Sequence, residues 1–293
     1  MELKVEPLGA PMGAVIRGWN PGEELSEGER VTIVDALRRH LVLVFRGQRF
    51  VTDRELIRFA ATFGELIKGS AWLERTREHA EILQVGNLTD EDGKPEGVGG
   101  TGRLAWHADY DYCKKVGRES FLNAVELPTR KRPRTYFSNQ YAAFETLPAQ
   151  MQARLRTLEV FHSISAGYKD PAYEGAERYA INRQLDRDHG IEPKEIPEAT
   201  HRMVVRHPQT DREILYIGER TNCTIMDLQR DEGEALLADL CAHSTRDANV
   251  YAHDWEVGDL VMFDTLGTLH SRDAWDTGER RSMRQLTTLC EID

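Results

Sequence analysis

The stretch LAWHADYDY, residues 104–112, places an imidazole and a carboxylate two positions apart, at His107 and Asp109, between aromatic residues. Side chains two residues apart in an extended strand project to the same side, so both groups share a face if residues 104–110 form a strand. The pattern fits either one part of a metal site or an amphipathic strand with a polar edge. A single His-x-Asp pair arises often by chance, so a third ligand is needed to choose.

A second imidazole follows at His270 in VMFDTLGTLHSRDAW, at the end of an apolar strand and a glycine-containing turn. Two imidazoles and one carboxylate on one face of a metal leave other positions open, which is typical of non-haem Fe(II) oxygenases. Zinc hydrolases use the same ligand types with a bound water. His107, Asp109 and His270 therefore indicate a metal centre, and the choice between iron and zinc stays open.

Arg281 lies in GERRSMRQLTTL, where the alternation of a strand sets Arg281 and Met283 on one side. A guanidinium can hold the remote carboxylate of a dicarboxylate through a two-pronged contact while the other end of that molecule chelates a metal. Considered alone, an arginine at this position is more often a surface charge. Beside the three ligand residues, it indicates a dicarboxylate cosubstrate.

The surrounding sequence predicts a strand-rich protein of the α+β class. A capping-box pattern, Ser26 with Glu29, begins a helix, and LVLVFRG and SFLNAVELP are typical of core strands. PQTDR, residues 208–212, predicts a hairpin turn between two strands. Residues 250–275 predict two short strands joined at EVGD, and no parallel strand-helix-strand series is found. We therefore expect a double-stranded β-helix, or jelly roll, with flanking helices.

The composition excludes several classes of protein. The 293 residues carry a formal net charge of −11, which disfavours a nucleic-acid partner because such binding needs a positive surface. Neither an apolar membrane span nor a signal peptide is found, so we expect a cytoplasmic protein without a membrane partner. The four cysteines form no CxxC pair. We expect one domain over residues 1–293, with lid-like insertions at about 67–102 and 163–200.

Several segments, in order, resemble the taurine dioxygenase and 2,4-dichlorophenoxyacetate dioxygenase family of Fe(II)/2-oxoglutarate-dependent oxygenases: LVLVFRGQ, FAATFGEL, WHAD, AVELP, VVRHPQTDREILYIG, VGDLVMFDTLGTLH and ERRSMRQLTTL. The resemblance covers nearly the whole chain. It implies a facial triad of His107, Asp109 and His270, with Arg281 and Thr135 holding the distal carboxylate of 2-oxoglutarate. It also implies that the cofactors are Fe(II), 2-oxoglutarate and O2, with ascorbate as a reductant in vitro.

The function implied by the resemblance is oxidation of an unactivated C–H bond in a small-molecule substrate, by hydroxylation or another outcome. 2-Oxoglutarate is decarboxylated to succinate and CO2 in the same reaction. Asp109 favours hydroxylation or another oxidative outcome, since halogenating relatives have a small residue there. The alternative is a metal-dependent hydrolase on a similar β scaffold, which leaves Arg281 and Thr135 without a role. Relatives also imply a homo-oligomer, a dimer or a tetramer.

The substrate is where this sequence departs from the family. Relatives can use an arginine to bind the acidic group of the substrate at the position of Gln285, so we expect a substrate other than a simple sulfonate or phenoxyacetate. Arg284 is adjacent, but on a strand it points the other way. The candidate substrate-binding residues are Gln285, Trp72, which lies where relatives have a lid residue, and Tyr112, if the strand bends.

Overall fold

The structure, a computed structural model of the chain, describes residues 3–47, 51–68, 78–91, 93, 96–164, 196–219 and 223–292. Trp72, one of the predicted substrate residues, lies outside the described residues, as do residues 69–77 and 165–195 of the predicted insertions. The helices in the described part are α1 (Glu27–His40), α2 (Asp53–Ala61), α3 (Gln140–Glu145), α4 (Ala149–Leu155) and α5 (Arg230–Ser244). Together with the sheets described next, they confirm a sheet-rich α+β protein.

Two main sheets form the body of the described chain. The larger has the spatial order β1 (Lys4–Pro7), β2 (Ala14–Arg17), β3 (Val42–Phe45), β15 (Leu260–Asp264), β7 (Val116–Glu126), β17 (Ser282–Cys290), β4 (Leu83–Gly86) and β5 (Val98–Gly99). The smaller has the order β14 (Val250–His253), β8 (Thr135–Asn139), β16 (Thr268–Arg272) and β6 (Leu104–His107). Pairing in both is antiparallel except between β2 and β3 and between β4 and β5.

Apolar side chains from both main sheets meet in one buried cluster. The rings of Phe137 on β8 and Phe263 on β15 have centroids 5.0 Å apart, and Leu269 of β16 joins the same cluster. Because side chains alternate along a strand, β17 directs Met283 into this cluster and Leu286 to the opposite face of the sheet. The two sheets therefore pack face to face, and inward-facing polar residues of β17 lie in the space between them.

Helices α1 and α2 contribute to a second buried cluster on the outer face of the larger sheet. Ser26 and Glu29 form the predicted capping box at the start of α1, and Thr52 caps α2. Phe59 of α2 packs against Phe45 of β3 with ring centroids 5.2 Å apart. This packing stabilises the back of the sheet that carries the strands β7 and β17.

Shorter strands lie outside the two main sheets. Strand β9 (Glu159–His162) pairs with both β10 (Ala199–Arg202) and β13 (Cys223–Ile225). The predicted hairpin around PQTDR is confirmed, since β11 (Val204–Arg206) pairs with β12 (Glu213–Leu215). Within the described ranges, we found no helix with the length and apolar character needed to cross a bilayer.

Two local predictions are wrong. The strand predicted over residues 104–110 ends at His107, because the chain turns at residues 109–112 and Tyr110 adopts a left-handed conformation with φ 60°. Residues 250–275 form three strands, β14, β15 and β16, instead of two. His270 consequently lies in the middle of β16 and not at the end of the preceding strand.

Candidate active site

Two histidines meet at the centre of the smaller sheet. His107 at the end of β6 and His270 in β16 are directly paired in the antiparallel ladder, and their ring centroids lie 4.1 Å apart. Paired residues in such a ladder project to the same face. The His270 ring also lies 5.1 Å from that of Phe263 on the larger sheet. Both imidazoles therefore point into the space between the sheets.

Asp109 reaches the histidines from a turn and not from the strand that carries His107. Its backbone N–H donates to Thr265 Oγ1 at 2.9 Å, which fixes the turn against the loop between β15 and β16. Its Oδ1 lies 3.6 Å from His270 Nε2. One ligand atom from each of His107, Asp109 and His270 lies within 4.8 Å of the others. The structure thus brings together the three predicted ligand residues.

The hydrogen bond of one ring and the burial of the other suit metal binding. His107 Nδ1 lies 2.7 Å from the carbonyl oxygen of Ala105, which can only accept, so this nitrogen donates and Nε2 is the nitrogen left to face a metal. Burial, and then the neighbouring His107, lower the pKa of His270 to about 3. His270 is therefore neutral near pH 7, and a neutral imidazole is the form that binds metal.

The second oxygen of Asp109 is held by side chains from the larger sheet. Ser120 Oγ on β7 donates to Asp109 Oδ2 at 2.5 Å, and Gln285 Nε2 on β17 donates to the same oxygen at 2.8 Å. Gln285 was predicted to bind substrate. The structure places its amide in hydrogen-bond contact with the Asp109 carboxylate, which faces the histidines. Ser120 was not predicted, because a serine in a core strand has no distinguishing pattern.

Arg281 is a buried cation with unsatisfied donors. Its side chain is 1% exposed, and Nε and Nη1 have no hydrogen-bond partner among the described residues. Burial lowers its pKa to about 9. Leaving such donors unpaired is costly, so the site fits an incoming group that accepts two hydrogen bonds, such as a carboxylate. Arg281 was predicted to hold the distal carboxylate of 2-oxoglutarate, and this environment suits that role.

Neighbouring groups fix the position of Arg281. Its backbone N–H donates to Asn87 Oδ1 at 2.9 Å, and its guanidinium carbon lies 5.3 Å from the centroid of the Trp275 ring. The guanidinium of Arg272 lies 4.2 Å from the centroid of the same ring. Trp275 thus contacts both arginines. Sequence reasoning missed it, since a tryptophan after a strand has no signal that separates this role from core packing.

Thr135 lies across the ladder from Arg272 in β16 and is 2% exposed. Its Oγ1 accepts a hydrogen bond from Trp255 Nε1 at 2.9 Å. Because the indole only donates, the hydroxyl proton of Thr135 stays available to donate to another group. Thr135 is the ladder partner of Arg272, and Trp275 contacts both Arg272 and Arg281. Thr135 is therefore connected to Arg281 through Arg272 and Trp275.

Two further predictions concern the surroundings of the site. Tyr112 lies in the turn that carries Asp109. It is 5% exposed and packs in a small cluster with Tyr110 and Ile196. Arg284 points away from Gln285, as strand alternation predicted: its guanidinium donates to Asn123 Oδ1 and to the carbonyl oxygen of Val51. Arg284 is therefore held outside the space between the sheets.

The chain is similar to known proteins over almost its whole length. Residues 4–287 match the family described as taurine catabolism dioxygenase TauD, TfdA family. Pentalenolactone F synthase of Streptomyces arenae is 36% identical over 289 residues, which are 98% of this chain and 95% of that protein. Alpha-ketoglutarate-dependent 2,4-dichlorophenoxyacetate dioxygenase of Cupriavidus pinatubonensis is 31% identical over 302 residues, covering 99% and 98% of the two chains.

A solved structure has a fold similar to that of this chain. The crystal structure of a taurine dioxygenase from Burkholderia xenovorans superposes with a TM-score of 0.77 at 24% sequence identity, and the match covers 99% of this chain and 90% of that chain. At this identity the likeness bears on the fold alone. The two sequence relatives and the family match bear on the chemistry.

Proposed function

We propose, because the chain belongs to the TauD/TfdA family of 2-oxoglutarate-dependent dioxygenases, that it oxidises an unactivated C–H bond of a small-molecule substrate. The protein is an oxidoreductase, and its cofactors are Fe(II), 2-oxoglutarate and O2. In the proposed reaction 2-oxoglutarate is converted to succinate and CO2, and hydroxylation is the proposed outcome. The cluster of His107, Asp109 and His270 is the observation that carries the proposal.

The proposed metal ligands are His107 Nε2, Asp109 Oδ1 and His270 Nε2. Iron at this position supplies the oxidising chemistry once 2-oxoglutarate and O2 are bound. The protein contributes two imidazoles and one carboxylate at fixed positions, and three ligands leave room for the cosubstrate on the open side. Phe137 and Phe263 line the His270 ring with apolar surface, which keeps water away from that ligand.

The proposed cosubstrate anchors are Arg281 and Thr135. The donors Nε and Nη1 of Arg281, which have no partner in the described part of the chain, support a two-pronged contact with the distal carboxylate. The Thr135 hydroxyl supports a third hydrogen bond. Trp275 holds the guanidinium in place before the cosubstrate arrives. Preorganisation of this kind lowers the entropy cost of binding.

We extend the proposal to the architecture. The two packed sheets support a double-stranded β-helix core within a single domain over residues 1–293, with the insertions at 67–102 and 163–200 as lid-like additions. Three expectations stay predictions: that the protein is a homo-oligomer, that it is cytoplasmic, and that Trp72 and Tyr112 bind substrate.

For the substrate, we propose a small molecule other than a simple sulfonate or phenoxyacetate. Gln285 supplies no cation, and Arg284 is bonded to Asn123 and the Val51 carbonyl. The 36% identity to a pentalenolactone F synthase supports including lactones in a substrate panel.

The test measures O2 consumption and succinate formation by the purified protein with Fe(II), 2-oxoglutarate and ascorbate, over a panel of lactones, amino-acid derivatives, sulfonates and phenoxyacetates. We expect a substrate that couples succinate formation to a product heavier by one oxygen atom. Retention of zinc, with turnover that needs neither O2 nor 2-oxoglutarate, would contradict the proposal and favour the hydrolase.

A further inference from the structure

The two oxygens of the Asp109 carboxylate have different surroundings. Oδ1 lies on the side of His270 Nε2, at 3.6 Å, while Oδ2 accepts hydrogen bonds from Ser120 Oγ at 2.5 Å and Gln285 Nε2 at 2.8 Å. Asp109 is 8% exposed. The carboxylate therefore cannot rotate without breaking two buried hydrogen bonds, each of which would leave a donor unpaired.

Hydrogen-bond directions in this network are fixed by the chemistry of its members. A carboxylate that binds a metal only accepts, so the Ser120 hydroxyl uses its one proton on Asp109. Ser120 Oγ lies 2.9 Å from Thr287 Oγ1, so Thr287 must donate in that pair. Gln285 donates to the carboxylate through its amide N–H. Two routes of donors therefore end at Asp109 Oδ2. In one, Thr287 donates to Ser120, which donates to Oδ2; in the other, Gln285 donates to Oδ2 directly.

Strand alternation explains why one strand supplies both routes. Gln285 and Thr287 are two residues apart on β17 and project to the same face as Met283, into the space between the sheets. Thr287 is the ladder partner of Ser120 on β7. Arg281 lies just before this strand, so the proposed cosubstrate anchor and the support of Asp109 come from one continuous segment.

We infer that Gln285 is a positioning residue, which together with Ser120 restricts Asp109 to binding the metal through Oδ1 alone. This inference rests on the proposed role of Asp109 as a metal ligand. A carboxylate free to bind through both oxygens would occupy one more coordination position. Holding Oδ2 away keeps that position open for the cosubstrate or O2. The same contact removes an amide proton of Gln285 from substrate binding.

The test compares Gln285→Met, which keeps the length of the side chain and removes its donor, with Gln140→Met. Gln140 is a matched control, since its amide is also buried but donates to Ser138 Oγ at 2.9 Å. The measurements are the dissociation constant for Mn(II), by anaerobic electron paramagnetic resonance titration, and the thermal midpoint. Loss of a group that orients a metal ligand commonly weakens metal binding by about 10- to 100-fold.

We expect Gln285→Met to weaken Mn(II) binding within that range and to change the line shape of the bound ion. Gln140→Met should lower the midpoint without either effect. Ser120→Ala should weaken Mn(II) binding as Gln285→Met does. In the double variant, the fold-loss of Mn(II) affinity should be smaller than the product of the two single losses, because both donors support one oxygen. If Gln285→Met does not fold, Gln285→Asn keeps the amide but shortens its reach, and we expect the same weakening.

Unchanged Mn(II) affinity and line shape in both Gln285 variants would overturn the inference. Failure of the proposed function has a different signature: the unsubstituted protein would bind no Mn(II), or Asp109→Ala would bind it unchanged.

Discussion

His107 and His270 are direct partners in the antiparallel pairing of β6 with β16, and their ring centroids lie 4.1 Å apart. The separation of the two imidazoles is therefore set by the backbone hydrogen bonds of the sheet and not by a mobile loop. Sites on strands are held more precisely than sites on loops. Asp109 is the one proposed ligand that lies in a turn, and its carboxylate is held by side-chain hydrogen bonds from Ser120 and Gln285.

Replacing Asp109 tests the proposed ligand set. Asp109→Ala should abolish Fe(II)-dependent succinate formation, because two imidazoles alone leave the metal weakly held. Asp211→Ala, in the exposed hairpin turn, is the control and should keep full activity. Succinate is measured under saturating 2-oxoglutarate. Retained turnover in Asp109→Ala would show that the ligand assignment is wrong.

The buried charge of Arg281 should lower the stability of the folded protein before 2-oxoglutarate binds. Its folded-state pKa is lowered to about 9, so the charged form is destabilised by folding. Arg281→Met should therefore keep or raise the thermal midpoint of the free protein. The same substitution should weaken 2-oxoglutarate binding by about 2 to 5 kcal/mol, since a buried charge-assisted contact is lost.

Arg280→Met is the matched control for that experiment. Arg280 is an adjacent arginine, but it is exposed and pairs with Glu126 at 2.9 Å. Its replacement should leave 2-oxoglutarate affinity unchanged. Calorimetric titration with 2-oxoglutarate and Mn(II) measures both variants. Equal affinity in Arg281→Met and the unsubstituted protein would move the anchor elsewhere.

Thr135→Val keeps the side-chain shape and removes the hydroxyl. A hydrogen bond to a charged group contributes about 1.5 to 3 kcal/mol, so the concentration of 2-oxoglutarate needed for half-maximal rate should rise about 10- to 100-fold. Thr32→Val on the outer helix α1 serves as the control. An unaltered requirement in Thr135→Val would assign the hydroxyl only to its contact with Trp255.

Arg284 should have a structural role. Its contacts with Asn123, with the Val51 carbonyl and with Asp53 join β17, β7 and the start of α2. The Asp53 side chain is 41% exposed, so the main loss is at the uncharged buried acceptors, and leaving such an acceptor unsatisfied costs about 1 to 3 kcal/mol. Arg284→Met should lower the unfolding free energy by about that amount in urea, with little change in 2-oxoglutarate affinity. A weakened affinity without lost stability would contradict this role.

Asp259 should make stability depend on pH in acid. Burial raises the pKa of Asp259, but hydrogen bonds from Arg46, His253 and the Glu256 backbone outweigh this and lower it to about 2. The unfolded value is about 3.9, so the carboxylate stabilises the fold above about pH 4, and this stabilisation is lost as the pH falls toward 2.

The check is urea unfolding of Asp259→Asn between about pH 5 and pH 2. The variant should be less stable at the upper end and should show a smaller decline toward the lower end. Asp254→Asn, an exposed neighbour, should retain the full decline. Parallel pH curves for Asp259→Asn and the unsubstituted protein would refute the assignment.

Much of the fold could be predicted from local patterns. The capping box at Ser26, the core strands and the hairpin around PQTDR each depend on a few neighbouring residues, and each was confirmed. The turn after His107 could not be predicted, since alternation of polar and apolar residues continues through Tyr110 while the backbone there becomes left-handed. The strand pairing of β6 with β16 is likewise not readable from either segment alone.

For the site, sequence reasoning identified residues whose chemistry is distinctive in itself. His107, Asp109 and His270 are brought together as expected. The residues that contact Asp109 and Arg281 were missed or given another role. Ser120, Trp275 and Gln285 make these contacts across sheets or between distant segments, and a single sequence carries no signal for such contacts.

We propose that the cluster of His107, Asp109 and His270, together with Arg281, binds Fe(II) and 2-oxoglutarate at the same time. The most direct measurement is anaerobic absorbance titration of the metal-free protein with Fe(II), followed by 2-oxoglutarate. We predict a weak visible charge-transfer band that forms only with both and is much reduced in Arg281→Met at the same 2-oxoglutarate concentration. Absence of the band at saturating concentrations, together with tight zinc binding, would rule out this site and favour a zinc hydrolase.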